Sequence, residues 1–165
     1  MTNKTDFIEK QLYSINGILE IHGKIMGISK SLEQLYPIAV VEDNVFYVFD
    51  LDKSNEKYEY KMEYISKMDI PKGVLAAFPL GSYNNKISAV VSSIAFDNIE
   101  GYVFIFHEFV HCFQFNGPEM EIKRKLTVAK EAMEKNDYMW ELNHPFPYEN
   151  DIFIEKTKEL DNIVD

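Results

Sequence analysis

The sequence predicts an α+β fold: a small mixed sheet packed against a buried helix, with further helices toward the C-terminus. Three observations point there. Four short runs, Ile38–Val41, Val45–Leu51, Val74–Leu80 and Lys86–Phe96, read as strands. Helical spacing fills the first segment and the stretch beyond Asn98. No internal repeat, low-complexity tract or linker divides the 165 residues, a length that suits one domain.

From Thr5 to Leu35, Phe7, Leu12, Ile15, Leu19, Ile25 and Leu32 recur at helical spacing. Gly17, Gly23 and Gly27 weaken the pattern and leave open a division into two helices near Gly23. Pro37 ends it. The runs Ile38–Val41 and Val45–Leu51 flank Asp43-Asn44, the signature of a hairpin. Glu56–Met68 reads as a helix with Tyr60, Tyr64 and Met68 along one side at four-residue spacing, a stripe better explained as core than as a binding site.

Val74–Leu80 and Lys86–Phe96 are predicted strands joined by Gly81-Ser82-Tyr83-Asn84-Asn85, a loop of turn-forming residues. Ile87, Ala89, Val91, Ser93 and Ala95 point one way along the second of these, and Ser88, Val90, Ser92, Ile94 and Phe96 the other. The polar members are small, which suits a strand partly covered on both faces or lying along a cleft. Asn98–Asn116 is a predicted helix with Asp97 as N-cap, Glu100 in capping-box position and Gly117-Pro118 as the stop. Glu119–Lys135 and Asn150–Val164 follow as helices, so the expected order is α-β-β-α-β-β-α-α-α.

Hydrophobic residues make up 46% of the chain and charged residues 27%, as in ordinary globular proteins, and 14% aromatics argue against disorder. The net charge is −10, and the single basic triplet, Lys123-Arg124-Lys125, is preceded by Glu119 and Glu121. Nucleic acid and anionic membrane surfaces are therefore excluded as expected partners. Cys112 is the only cysteine, so no internal disulfide forms. The polar N-terminus lacks an apolar run behind it, and no stretch reaches membrane-spanning length. A cytoplasmic location is expected, although a leader already removed would leave the same sequence.

Residues 107–111 read His-Glu-Phe-Val-His. On a helix, i and i+4 share a face, so both imidazoles can reach one ion. His107 and His111 are the candidate zinc ligands and Zn2+ the expected cofactor. Glu108 is displaced by about 100° around the axis, which lets its carboxylate act as general base on a metal-activated water. A chance His-Glu-x-x-His arises in about one such chain in a hundred. The flanking Tyr102-Val103-Phe104-Ile105-Phe106, with Phe109, Val110, Cys112 and Phe113, makes the helix apolar nearly all round, hence buried. Buried His and Glu need partners, and a metal ion serves all three. The bland alternative is a core helix whose His residues bond to backbone or carboxylates.

Phe106-His107-Glu108-Phe109-Val110-His111 resembles the active-site helix of the zincin metallopeptidases, and Cys112-Phe113-Gln114 is similar to a variant in which Gln follows the second His by three residues. The match covers about ten residues and names a superfamily only. It implies zinc, a water nucleophile and cleavage of a peptide or protein substrate. Asn116-Gly117-Pro118 stands where metzincins continue toward a third His, so the resemblance implies an acidic third ligand, as in gluzincins.

Glu131 has the spacing of thermolysin-like gluzincins but opposes the apolar stripe Ile122, Leu126, Ala129 and Met133 of its helix. Glu159 borders the predicted buried face of the last helix, set by Phe153, Thr157, Leu160 and Val164, whereas Glu155 lies further round. Glu159 is the preferred third ligand, and each of the three is otherwise a solvated surface carboxylate. His144, in the aromatic and proline-rich loop 140–148, is the candidate donor to a developing oxyanion, with Tyr148 as its alternative; the competing reading is a packing loop. His22 and Cys112 read as packing residues. Zincins have a substantial lower half and this chain ends shortly after Glu159. Residues 1–165 are thus expected to be a single minimal or truncated zincin-like domain. The rival to a hydrolase is a non-enzymatic zincin-derived module with a vestigial or structural metal site.

Overall fold

The computed structural model describes residues 3–66, 70–117, 121, 123, 125–135, 137, 149–155 and 158. The chain divides into two compact units, Met1–Glu121 and Ile122–Asp165.

The first unit opens with α1 (Lys4–Ile25), whose N-cap Asn3 accepts a hydrogen bond from the Thr5 amide. Asp6 in the first turn and Lys24 in the last complement the helix dipole. The break considered near Gly23 does not occur. A Cβ at Gly23 would meet nothing, so this glycine costs only its propensity, about 1 kcal/mol, and burial of Ile15 and Ile18 outweighs it. A short 3-10 turn, Lys30–Leu32, then leads to the sheet.

Strands β1 (Ile38–Glu42) and β2 (Val45–Asp52) form the expected hairpin. Asp43 and Asn44 both have positive φ, 47° and 60°, as its two-residue turn requires. The segment predicted as helix 56–68 is instead strand β3 (Lys57–Ile65), antiparallel to β2. The reason lies in the spacing: Tyr58, Tyr60, Met62 and Tyr64 recur every second residue, and a four-residue stripe is contained in that alternation. A register shift between Val48 and Phe49 divides the stripe. Tyr58 and Tyr60 pack on one face of the sheet, Met62 and Tyr64 on the other.

Strands β4 (Leu75–Leu80) and β5 (Lys86–Ser92) pair antiparallel, and β5 pairs parallel with β1. The sheet is thus five-stranded and mixed, in the order β3-β2-β1-β5-β4. As its small polar residues predicted, β5 is covered on both faces: Ala89 and Val91 join one core cluster and Val90 the other. It stops four residues short of the predicted end. Its pairing with β1 ends at Val41–Ser92, and Ser93–Phe96 turns as a 3-10 helix.

Helix α2 (Ile99–Asn116) follows. Its cap is Asn98 rather than Asp97: the Asn98 carboxamide accepts from the Gly101 amide at 2.9 Å, so Glu100 is not at the capping-box position. Both helices lie on the same face of the sheet. Ile15 and Ile18 of α1 and Ile105, Phe106, Phe109 and Cys112 of α2 share a core with Ile38, Val40, Phe49, Tyr58, Ala89 and Val91. The Tyr102 hydroxyl ties the helices together by donating to the Ser14 carbonyl.

In the second unit, α3 (Thr127–Glu134) buries Ala129 and Ala132, and residues 151–155 are helical. Among the described residues no helix is long and apolar enough to cross a membrane.

Candidate metal centre

Helix α2 is not buried all round, as its composition suggested. The sheet meets one face only, and Val103, Phe104, His107 and His111 stay exposed on the other. The helical repeat therefore separates the motif's three polar side chains. Both imidazoles face outward, while Glu108 is only 5% exposed.

The two Nε2 atoms converge to 2.9 Å, with ring centroids 4.5 Å apart and rings crossed at 84°. That is close to the separation, about 3.3 Å, of two nitrogens on one tetrahedral zinc. Nδ1 of His111 lies 3.1 Å from Gln114 Oε1, so the ring is held from behind. Glu108 has no hydrogen-bond partner among the described residues. Burial raises its carboxyl above the usual range, and the neighbouring imidazoles of His111 and His107 partly offset that. Burial, with the Glu108 charge added, pushes the Cys112 thiol up to about 12, which fits its reading as a buried hydrophobe. Tyr36 packs its ring 5.9 Å from that of Phe109 beneath the motif.

These residues fit a divalent cation on the evidence of the donor set: two exposed imidazole nitrogens 2.9 Å apart and a buried carboxylate on the same helix turn. They supply two ligands. Among the described residues no group of three or more His, Cys, Asp or Glu side chains is arranged to hold an ion. Of the third-ligand candidates, Glu131 is exposed on α3 and Glu155 is exposed in the helical stretch 151–155, both in the second unit. Glu159, His144 and Tyr148 lie outside the described residues. His22 has a packing role, its Nε2 lying 2.9 Å from the Leu32 carbonyl.

Sequence reading placed Gln114 three residues after His111 but assigned it no contact. The signal was there, since i and i+3 are neighbours on a helix surface.

No protein-family model matches the chain, and neither a curated protein nor a solved structure does.

Proposed function

We propose that the chain is a zinc-dependent, metallopeptidase-like hydrolase of zincin type. The observation that carries this reading is the convergence of His107 Nε2 and His111 Nε2 at 2.9 Å beside the buried Glu108. A carboxylate at that position has no task in a purely structural site, whereas a hydrolase needs a base there.

Zinc held by His107 and His111 supplies Lewis acidity, which acidifies water and polarises a carbonyl. Glu108 supplies the proton chemistry. Its carboxylate takes a proton from the attacking water as the new C–O bond forms, and returns it to the amine nitrogen as the C–N bond breaks. Its raised affinity for a proton suits both halves of that transfer. A peptide is the substrate class that the neighbouring strand favours. Among the described residues β4 is paired with β5 alone, and an outer strand can receive an extended chain by backbone hydrogen bonds. The third ligand is proposed to be acidic, with Glu159 preferred, and His144 is the proposed oxyanion donor.

Metal content of the purified protein and hydrolysis of a peptide library by wild type and Glu108→Gln test the reading together. About one zinc per chain in both proteins, with hydrolysis only in the wild type, is the expected result. Zinc in both and hydrolysis in neither would leave a non-enzymatic metal-binding module.

A further inference from the structure

We propose that Gln114 is the positioning residue that presets His111 as a metal ligand, by fixing which of its ring nitrogens carries the hydrogen. The inference rests on the metal reading above. The Gln114 Oε1 atom lies 3.1 Å from His111 Nδ1, and a carboxamide oxygen can only accept. Nδ1 of His111 therefore carries the hydrogen, which in a neutral ring leaves the lone pair on Nε2. That lone pair faces His107 Nε2 at 2.9 Å.

His111 thus stands in the tautomer that ligates through Nε2, and Gln114 is what makes it so. Gln114 is half-buried one turn along the same helix, which places its carboxamide beside His111 Nδ1.

Long-range 1H–15N correlation spectra of the metal-free full chain report the tautomer of each His, and titration with zinc against a chromophoric chelator reports affinity. In the wild type His111 should appear as the Nδ1–H form. Gln114→Leu should erase the preference at His111 and weaken zinc binding by about 10–100-fold. Gln114→Glu keeps an acceptor and should keep both the tautomer and the affinity. Three results overturn the proposal: His111 as Nε2–H in the wild type, equal zinc affinity of wild type and the Leu variant, or a Glu variant as weak as the Leu variant. Failure of the metal reading looks different, because wild type and variants would then all give flat zinc titrations, and both proposals fall.

Discussion

Asn16 of α1 satisfies both backbone groups of Tyr58 on the outer strand β3: its Oδ1 accepts the Tyr58 amide at 3.0 Å and its Nδ2 donates to the Tyr58 carbonyl at 3.3 Å. One carboxamide thus acts as a further rung of the ladder, where the edge would otherwise offer unpaired groups. The Tyr58 hydroxyl reaches inward to the Tyr36 carbonyl at 2.7 Å, so this residue is tied at both ends.

Replacing Asn16 with Ala should strand the Tyr58 amide and carbonyl at a half-buried position. The expected cost is about 1–3 kcal/mol in chemical denaturation, with an unchanged slope. Asn16→Asp keeps the acceptor but not the donor and should fall between the two. An Ala variant as stable as wild type would show that water replaces the clasp without loss.

Gly101 is the tightest point between α2 and the turn before it. A Cβ there would lie 1.8 Å from the Ala95 carbonyl oxygen, which is backbone and cannot swing aside. Gly101→Ala should cost about 1–3 kcal/mol or more through overpacking, and should weaken zinc binding because α2 carries both His residues. Gly23→Ala, where nothing lies within 4 Å, should stabilise by about 0.5–1 kcal/mol. Thermal melts of the pair check the contrast; equal effects would contradict it.

His107→Ala and His111→Ala should each abolish stoichiometric zinc binding. Among the acidic candidates, Glu159→Ala should weaken it far more than Glu131→Ala or Glu155→Ala. Equilibrium dialysis of the five variants separates these outcomes. A dominant effect at Glu131 would show that spacing, and not helix phasing, was the better guide to the third ligand.

Tyr60 and Tyr83 are two of the groups that should make the fold sensitive to alkali. Burial first, then hydrogen bonds to Glu63 and Asp50, push both phenols up to about 12. The folded chain therefore holds these protons where the unfolded chain, with a tyrosine pKa of about 10, releases them. Their contribution is fully present below pH about 10 and is lost as pH rises through about 12. Denaturation midpoints should fall across that window, in step with the appearance of tyrosinate absorbance. A midpoint that stays level up to pH about 12 would contradict this.

The β1–β2 hairpin and the C-terminal limit of α2 were legible because they are written in local chemistry, a turn that needs two positive φ angles at Asp43 and Asn44 and a stop at Gly117. Strand β3 was not, because Tyr60 and Tyr64 fit helical and extended spacing equally and the register shift opposite them leaves no trace in composition. That His107 and His111 share a face followed from helical phasing alone, whereas their exposure ran against the expectation of a buried helix. The exposure of Val103 and Phe104 was not legible either, since apolar composition cannot tell which face of a helix meets the sheet.

The parallel seam of the sheet, where Ile38–Val41 meets Ala89–Ser92, has a kinetic consequence. Each antiparallel pair in the sheet closes a short local loop, so β1-β2-β3 and β4-β5 can zip independently. Joining the two halves requires residues about fifty positions apart to meet, and that loop-closure entropy is spent before the seam returns any contact energy. The rate at which the chain acquires its central sheet, and with it the floor beneath α2, should respond most to this encounter. Substitutions at Val40 or Val91 should therefore slow refolding, whereas those in the outer hairpins should mainly hasten unfolding.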